Sequence, residues 1–561
     1  MTGAAILLVL LASPGAAAPG ALGRAVEGEM RRTLARLQMP GRVKPYFLSY
    51  RIDETTGVYM TASFGGLRRF PVERRRSVSI DLRVGSRAFD QTHYVSKGEW
   101  DYRPLAADLP IDDDEDALRF ELWSLTDRAY KKALEKLAQK TAYRDEHDIR
   151  DVPPDLSDDP VAVSTHAARA EVLDLPAWEE RARRLSMIFR KHPRIQDSWV
   201  NMNWTTGTRY FLDSEGRSGD RPLDLYEIVI NAAAQGPDGL PIFGRRRFFY
   251  RRLSDIPGDG ELSAATEALA RGLVEAVDAP LMDSYWGPVL FQGQASAEFF
   301  NQLFVRNVSS PRSLWIEDKR MEKYYPSGGL ASRLGLRAVS PLLDIEDDPG
   351  LAVWNGEPLV GGYEVDDEGL SARKVALVQK GLLRDLLMSR SPIKERSNSN
   401  GRGRAERSEV VVSRPSNLIV HADSTVSSQE LESLLRRQAG ALGLRYGLLI
   451  PRLGEEWAQE ENDVLAEPVI AYKVYVDDGR KEPIRGAAFA NVTLRALRDV
   501  TAASAEVAVY NYPQAGPYRY SRGYVPASIV CPSVLISEME LKKTERKPMR
   551  LPYLAHPFFE R

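Results

Sequence analysis

The sequence is poor in the residues that most often bind metals or form covalent cross-links. Its 561 residues include one cysteine, Cys531, and six histidines. A single cysteine excludes an internal disulfide and a zinc cage built from several thiolates, so packing must stabilise the fold. No two histidines lie three or four residues apart, the spacing that would place both on one face of a helix. A metal site would therefore have to be assembled from distant segments.

An excess of charge of either sign is also missing. Lys and Arg number 76 against 78 Asp and Glu, and the formal net charge is -2. Overall electrostatics therefore does not favour binding to nucleic acid or to anionic lipid. The arginine-rich segment 393–409 also contains three glutamates and no aromatic residue for base stacking. We therefore predict no nucleic-acid partner.

Long apolar runs are absent, and none reaches the roughly 18–20 residues of a transmembrane helix, so no membrane span is predicted. The run AAILLVLLA near the N terminus is followed by the small residues SPGAAAPGALG. This order predicts a signal peptide over residues 1–23, export to the periplasm or the outside of the cell, and a mature N terminus between Ala18 and Arg24. No Lys or Arg precedes the apolar run. The alternative is a cytoplasmic protein with an apolar N terminus.

The chain is too long for one hydrophobic core, and two domains are expected. Short alternating segments with Gly and Asp turns follow residue 45 and indicate paired strands, whereas 118–144 has the apolar spacing of a long helix. Turn-rich β segments dominate after residue 300. We predict an α+β fold: a mixed helix and antiparallel-sheet domain over residues 24–280, and a mostly antiparallel β domain over residues 281–561.

Several short segments give the second half of the chain a recognisable order. The segments are GPVLFQGQASAEFF (287–300), DDPG (347–350), YEVDDEGLSARKVALVQKGLLRDLLMSR (363–390), SNSNGRGR (397–404), RPSNLIV (414–420) and PIRG (483–486). In this order they resemble the TldD/PmbA family of metalloproteases, also called modulators of DNA gyrase, and YFLDSEGR (210–217) agrees. None of the segments is specific alone.

The resemblance also indicates which residues have changed. In the active TldD branch a helix carries His-Glu-x-x-x-His, whose imidazoles bind zinc while the Glu activates the metal-bound water. Matching the preceding Val-Leu pair places Gln292 and Gly293 at the first His and the Glu, and Ala297 at the second His. Cys531 lies past the position of the family's late cysteine ligand. We therefore predict a PmbA/TldE-like chain with no catalytic residue, no metal and no cofactor in this motif, where active relatives hold zinc.

The resemblance implies a non-catalytic (pseudoprotease) subunit in peptide processing. Its partners would be a peptide or unfolded polypeptide, and either a second copy or a metal-bearing TldD-like relative in a dimer. The candidate residues of the substrate cleft are Asn400, Gly401 and Arg402, which would order backbone or bind a peptide carboxylate, and Glu298 at the helix start. Two alternatives stay open: an exported peptide-binding or structural module, and a hydrolase that uses residues other than zinc ligands.

Overall fold

The computed structural model describes residues 7–11, 20–99, 103–166, 170–454, 465–518, 521, 523–552, 554 and 556–559. This chain forms two large sheets. The strands of the first lie within residues 45–250, and those of the second lie within residues 284–543. Helices pack on the first sheet, and the second is mostly antiparallel, so the predicted α+β class is confirmed.

The first domain is built around nine strands of the described chain. The strands up to residue 250 are β1 (Leu7–Leu11), β2 (Pro45–Ser63), β3 (Gly66–Arg69), β4 (Glu73–Val84), β5 (Tyr94–Val95), β6 (Leu105–Leu109), β7 (Val163–Ser164), β8 (Ala170–Asp174), β9 (Ile195–Asp213), β10 (Ser218–Pro222), β11 (Leu225–Gln235) and β12 (Pro241–Tyr250). The sheet order is β12-β11-β9-β2-β4-β6; β3 pairs with β2, and β10 pairs with β7 and β9. A separate pair joins β1 to β8.

The strand β9 shows why this sequence forms a half-buried sheet. Val200, Met202 and Trp204 are buried, and the side chains between them are more exposed. This alternation follows from the two-residue period of a strand, which sends successive side chains to opposite faces. One face of β9 therefore supplies the hydrophobic core.

Helices form two separate hydrophobic clusters with this sheet. They are α1 (Gly20–Arg36), α2 (Glu115–Glu146), α3 (Leu175–Met187) and α4 (Asp259–Asp278). The acidic run before α2 acts as its N-terminal cap, because the Asp114 carboxylate accepts hydrogen bonds from the N–H groups of Asp116 and Ala117 at 3.0 and 3.1 Å. None of the described helices combines the length and apolar character needed to cross a membrane.

The second domain has a mixed sheet of eleven described strands. The strands after residue 280 are β13 (Ser284–Phe291), β14 (Trp315–Ile316), β15 (Leu343–Asp347), β16 (Val353–Trp354), β17 (Glu357–Pro358), β18 (Val375–Gln379), β19 (Leu382–Leu383), β20 (Gly403–Arg404), β21 (Val412–Ser413), β22 (Asn417–Ala422), β23 (Tyr446–Leu453), β24 (Pro468–Tyr475), β25 (Lys481–Ile484), β26 (Ala487–Ala490), β27 (Val500–Ala515) and β28 (Tyr524–Lys543). The order is β19-β18-β15-β22-β28-β13-β23-β24-β25, and β26 and β27 also pair with β28. The pairs β22–β28 and β13–β23 are parallel, and the others are antiparallel.

A helical segment directly after β13 enters the main core of this domain. It consists of α5 (Gln294–Phe300), a π-helical turn (Asn301–Val305) and α6 (Arg306–Val308); a longer helix, α7 (Ser428–Ala441), follows β22. Ala295, Ala297, Phe299 and Phe300 are fully buried in the largest hydrophobic cluster. The segment that resembles the family's active-site helix is therefore a helix in the structure, and its inner face is core.

Candidate functional site

The chain turns sharply between β13 and α5, and we call residues 291–298 the α5 entrance. The N–H of Gln292 donates to the carbonyl of Ile450 at 2.9 Å, which extends the pairing of β13 with β23. Gly293 then adopts φ 57° and ψ -118°. This conformation is open in practice only to glycine, although no atom lies within 4 Å of where a Cβ would stand. The turn, rather than crowding, therefore requires glycine at this position.

The three positions predicted to replace the zinc motif do not fit a metal. Gln292 lies on the strand side of the turn, Gly293 has no side chain, and Ala297 is 0% exposed with its methyl group in the core. Within the described ranges, no three His, Cys, Asp or Glu side chains are grouped closely enough to hold an ion. Cys531 lies in β28 close to Ser296, and burial raises the pKa of its thiol to about 12. A protonated, buried thiol is a poor ligand.

Glu298 was predicted as a cleft candidate, and its surroundings are internal. The side chain is buried, and its Oε2 accepts the N–H of Leu453 at 2.7 Å. Its Oε1 accepts the amide N–H of Gln294 at 2.8 Å, and the Gln294 oxygen accepts from Arg246 at 3.1 Å. Because Arg246 lies in β12, Glu298 and Gln294 connect α5 to β23 and to the first domain.

A cavity of about 240 Å³ lies next to Leu453 and between the two domains. Its walls come from β12 and the turn before it, the end of β23, the start of β24, and residues 485–486 and 544–546. Four arginines line it, and one carboxylate, Glu467, accepts from Arg546 Nε at 2.9 Å. The apolar part of the wall includes Leu240 and Phe243. This combination suits a carboxylate on a partly apolar ligand, since arginine binds carboxylates through paired N–H donors. The arginines are Arg245, Arg452, Arg485 and Arg546.

The other predicted cleft residues lie in a buried loop. The Asn400 amide donates to Leu386 at 2.7 Å and accepts from the N–H of Met388 at 2.9 Å. Gly401 has φ 74°, and a Cβ there would meet the backbone of Ala372 at 2.6 Å. Both features fix the path of the loop against the neighbouring hairpin.

Arg402 is saturated by contacts within the protein. Its Nε donates to Asp347 Oδ1 at 2.6 Å, and both side chains are 0% exposed. The remaining N–H groups donate to four backbone carbonyls, those of Asp347, Arg373, Asn400 and Gly401. All five donors of the guanidinium are therefore used. Of the two roles predicted for Arg402, its contacts favour ordering backbone over binding a peptide carboxylate.

Asp347 brings together four of the segments that gave the sequence its recognisable order. It belongs to DDPG, it binds Arg402 of SNSNGRGR, and its two oxygens accept from the N–H and hydroxyl of Ser416 at 2.9 and 2.5 Å. Through Arg402 it also holds the carbonyl of Arg373 in the long hairpin segment. The segments are far apart in sequence, and their common function is to build one buried polar junction.

Sequence reasoning missed the charged surface between the domains. Asp367, in the hairpin turn of the second domain, lies 2.9 Å from Arg209 of β9 and 2.6 Å from Arg221 of β10. Burial opposes ionisation of Asp367, but Arg209 and Arg221 lower its pKa and keep it charged. Its neighbour Glu368 is different: burial, and then the charge of Asp366, raise its pKa to about 8. The acidic residues were visible in the sequence as the DDEG turn of segment 363–390. The arginines that contact this turn lie about 150 residues earlier, so the sequence did not show that they meet.

Comparisons with known proteins agree with this architecture. The fold and the α5 entrance define an α+β protein with a mostly antiparallel second domain that begins with a strand and a buried helix. Residues 284–543 match the model of the PmbA/TldA metallopeptidase C-terminal domain. The second domain is thus of the TldD/PmbA family type, as the order of its segments predicted. No curated protein sequence matches the chain.

Solved structures share the fold over nearly the whole chain. A proposed modulator of a DNA gyrase from Thermotoga maritima is 15% identical with a TM-score of 0.57, covering 92% of this chain and 99% of its own. TldE from Thermococcus kodakarensis is 13% identical with a TM-score of 0.55, covering 92% and 99%. A further proposed modulator of DNA gyrase, from Bacteroides thetaiotaomicron, is 12% identical with a TM-score of 0.55, covering 93% and 98%. At these identities the similarity shows the fold.

Proposed function

We propose that this chain is a TldE-like subunit that binds polypeptide and does not hydrolyse it with zinc. The observation that carries the proposal is the burial of Ala297 in the core, at the position where the second zinc-binding histidine of active relatives would stand. Gly293, at the position of the general base, offers no carboxylate. A zinc peptidase needs ligands for the ion and a base for its water, and neither position supplies them.

The cavity beside Leu453 is the proposed polypeptide site. Its four arginines and its apolar wall favour a peptide that ends in, or contains, a carboxylate next to an apolar side chain. Arg452 is the best residue to test, because it lies at the end of β23 next to Leu453, whose N–H is held by Glu298.

The experiment measures peptide binding and metal content on the same purified protein. A fluorescent acidic peptide should bind, and Arg452→Glu should weaken binding at least tenfold. Arg437→Glu is the matched control, since Arg437 is on the exposed side of α7 and pairs only with Glu430 among the described residues. Zinc should stay well below one ion per chain. Equal binding by both variants would reject the site, and stoichiometric zinc with chelator-sensitive cleavage of the peptide would reject the non-catalytic function.

Assembly with a second subunit is part of the same proposal. The simplest function for a chain without metal ligands is to complete the cleft of a metal-bearing relative or of a second copy. Obligate interfaces of this kind bury more than about 2,000 Å² in total. Light scattering should therefore show a dimer. A monomer at micromolar concentration, with no relative co-purifying, would favour the alternative of a stand-alone peptide-binding module.

We also propose that the protein is exported, and we propose one cleavage site within the range predicted from the sequence. Helix α1 begins at Gly20, and Leu22 is 1% exposed in the core formed with α2. Cleavage after Gly23 would remove Leu22 from this core, whereas cleavage after Ala17 leaves α1 whole. N-terminal sequencing of the native protein should thus give a start at Ala18, and an intact Met1 would reject export through this signal.

A further inference from the structure

Three side chains from distant parts of the chain are joined by two hydrogen bonds at the domain boundary. Ser391 Oγ lies 3.0 Å from His93 Nε2, and His93 Nδ1 lies 3.2 Å from Asp155 Oδ1. His93 precedes β5, Asp155 lies in the loop after α2, and Ser391 follows the long hairpin of the second domain. A nucleophile, a base and a carboxylate in this order are the arrangement that activates serine in hydrolases.

The neighbours of the imidazole select the tautomer that this chemistry needs. The Thr92 hydroxyl lies 3.0 Å from His93 Nδ1 but donates its proton to Asp90 at 2.6 Å. Asp155 is ionised, because His93 and Lys140 lower its pKa against the effect of burial. Nδ1 therefore carries the proton and donates it to Asp155. This leaves Nε2 as the acceptor of the Ser391 O–H.

The backbone and the carboxylate are both held in place. His93 has φ 58°, a left-handed conformation that is uncommon for a residue with a side chain, and its carbonyl accepts the N–H of Trp315 at 2.8 Å. Such conformations concentrate at functional sites. The Asp155 carboxylate also accepts from Lys140 Nζ at 2.6 Å, from Arg312 at 2.9 Å and from the backbone N–H of Asp90 at 2.8 Å.

Ser391 and His93 also line a cavity of about 180 Å³ between the domains. Ser391 is partly exposed to it, whereas His93 is buried. Arg390 lines it too, and no described residue accepts a hydrogen bond from Arg390 Nε, although the side chain is 1% exposed. Much of the remaining wall is apolar, with Phe47, Leu82, Leu105, Leu156 and Val410.

We propose that Ser391, His93 and Asp155 form a serine-based site that hydrolyses carboxylic esters with short apolar acyl groups. Ser391 Oγ attacks the ester carbonyl while His93 Nε2 takes its proton, and the same proton passes to the departing alkoxide as the C–O bond breaks. Water then attacks the acyl-serine with His93 as base, which releases the acid and restores the hydroxyl. Asp155 positions the imidazole. The step needs no cofactor, and this site shares no lining residue with the cavity beside Leu453.

The charges around His93 predict a slow enzyme. Burial, and then Arg312, lower the pKa of His93 to about 4. The charged groups that act on it include Asp155 from its own domain, Lys140 from α2, and Arg312 from the second domain. The imidazole is therefore in its basic form at neutral pH, but it is a weak base, and a weak base gives less rate acceleration. Covalent labelling of Ser391 is therefore a more sensitive assay than a measurement of ester turnover.

The test uses the full chain and a fluorophosphonate, which reacts with activated serines. Intact-mass measurement should show one adduct, peptide mapping should place it on Ser391, and chelator should not change it. Ser391→Ala should abolish labelling, and His93→Gln should slow it about 10²–10⁴-fold. The control Ser389→Ala, two residues away, should label like the parent. Absence of the adduct, or an adduct that persists in Ser391→Ala, would overturn the proposal.

A second variant covers the case in which His93→Gln does not fold. Ser391→Cys places a thiol against His93 Nε2, so it should react with iodoacetamide at pH 7 clearly faster than Cys531 does. Cys531 is the internal control, because it is fully buried with its pKa raised to about 12. If the thiol introduced by Ser391→Cys is as unreactive as that of Cys531, His93 does not activate this position, and the proposal is equally overturned.

Discussion

The α5 entrance and the interdomain cavity at Ser391 present opposite combinations of position and chemistry. The α5 entrance is the segment that the family resemblance aligns with the zinc motif of active relatives, but it carries an amide, a glycine and a buried methyl group. The cavity at Ser391 is lined only in part by the family segments, yet it gathers a serine, a histidine and several carboxylates. The difference teaches that packing alone can account for a helix at this place, because Phe299 and Phe300 fill the core.

The largest expected effect is a loss of stability, and it tests whether the family segments stabilise the fold. Arg402→Ala removes one partner of a fully buried ion pair and leaves Asp347 uncompensated, so the free energy of unfolding should fall by about 3–5 kcal/mol. Denaturant unfolding of the second domain measures it. The control Arg407→Ala breaks an exposed contact with Asp108 and should change stability by about 0–1 kcal/mol. Similar values for the two variants would mean that the polar junction at Asp347 is not an anchor.

An intermediate effect is expected when a zinc ligand is restored at the α5 entrance. Ala297→His adds an imidazole to a closed core, and overpacking of this kind destabilises by about 1–3 kcal/mol. Arg306→His, on the exposed side of the same helical segment, should stay within about 0.5 kcal/mol of the parent. Thermal unfolding with and without zinc compares them. Stabilisation of Ala297→His by zinc would show that the entrance still has the geometry of a metal site.

The smallest expected effect is a pH dependence at the interdomain cavity. The pKa of Glu368 is raised to about 8 in the folded chain, so between roughly pH 4.5 and 8 the folded state holds a proton that the unfolded state has lost. Stability from this group is therefore present at low pH and is lost as the pH rises towards 8. Melting temperatures at pH 5, 6, 7 and 8 should fall less steeply for Glu368→Gln than for the parent. Glu395→Gln, at an exposed position, is the control and should follow the parent.

The sequence predicted correctly those features that depend on residues close together in the chain. Periodicity predicted the long helix now seen as α2, and the Val-Leu pair before Gln292 located the start of α5. Glu298 was predicted as a cleft residue at the helix start, and the structure buries it, because the backbone of Leu453, about 150 residues later, needs an acceptor there. The same limit applies to His93, which is 62 residues from Asp155 and 298 from Ser391. Each of the three looked ordinary in its own segment.

The position of β28 in the second sheet has a consequence for how the chain folds as it is made. Residues 45–250 contain all nine strands of the first sheet, so that sheet can close early during synthesis. In the second sheet β22 and β13 have β28 as their common neighbour, and β28 is Tyr524–Lys543. Until those twenty residues leave the ribosome, β13 and the buried helix behind it lack their central partner. Such late, long-range pairing is slow, and the exposed edges of β22 and β13 are surfaces that a chaperone would need to cover in the interval.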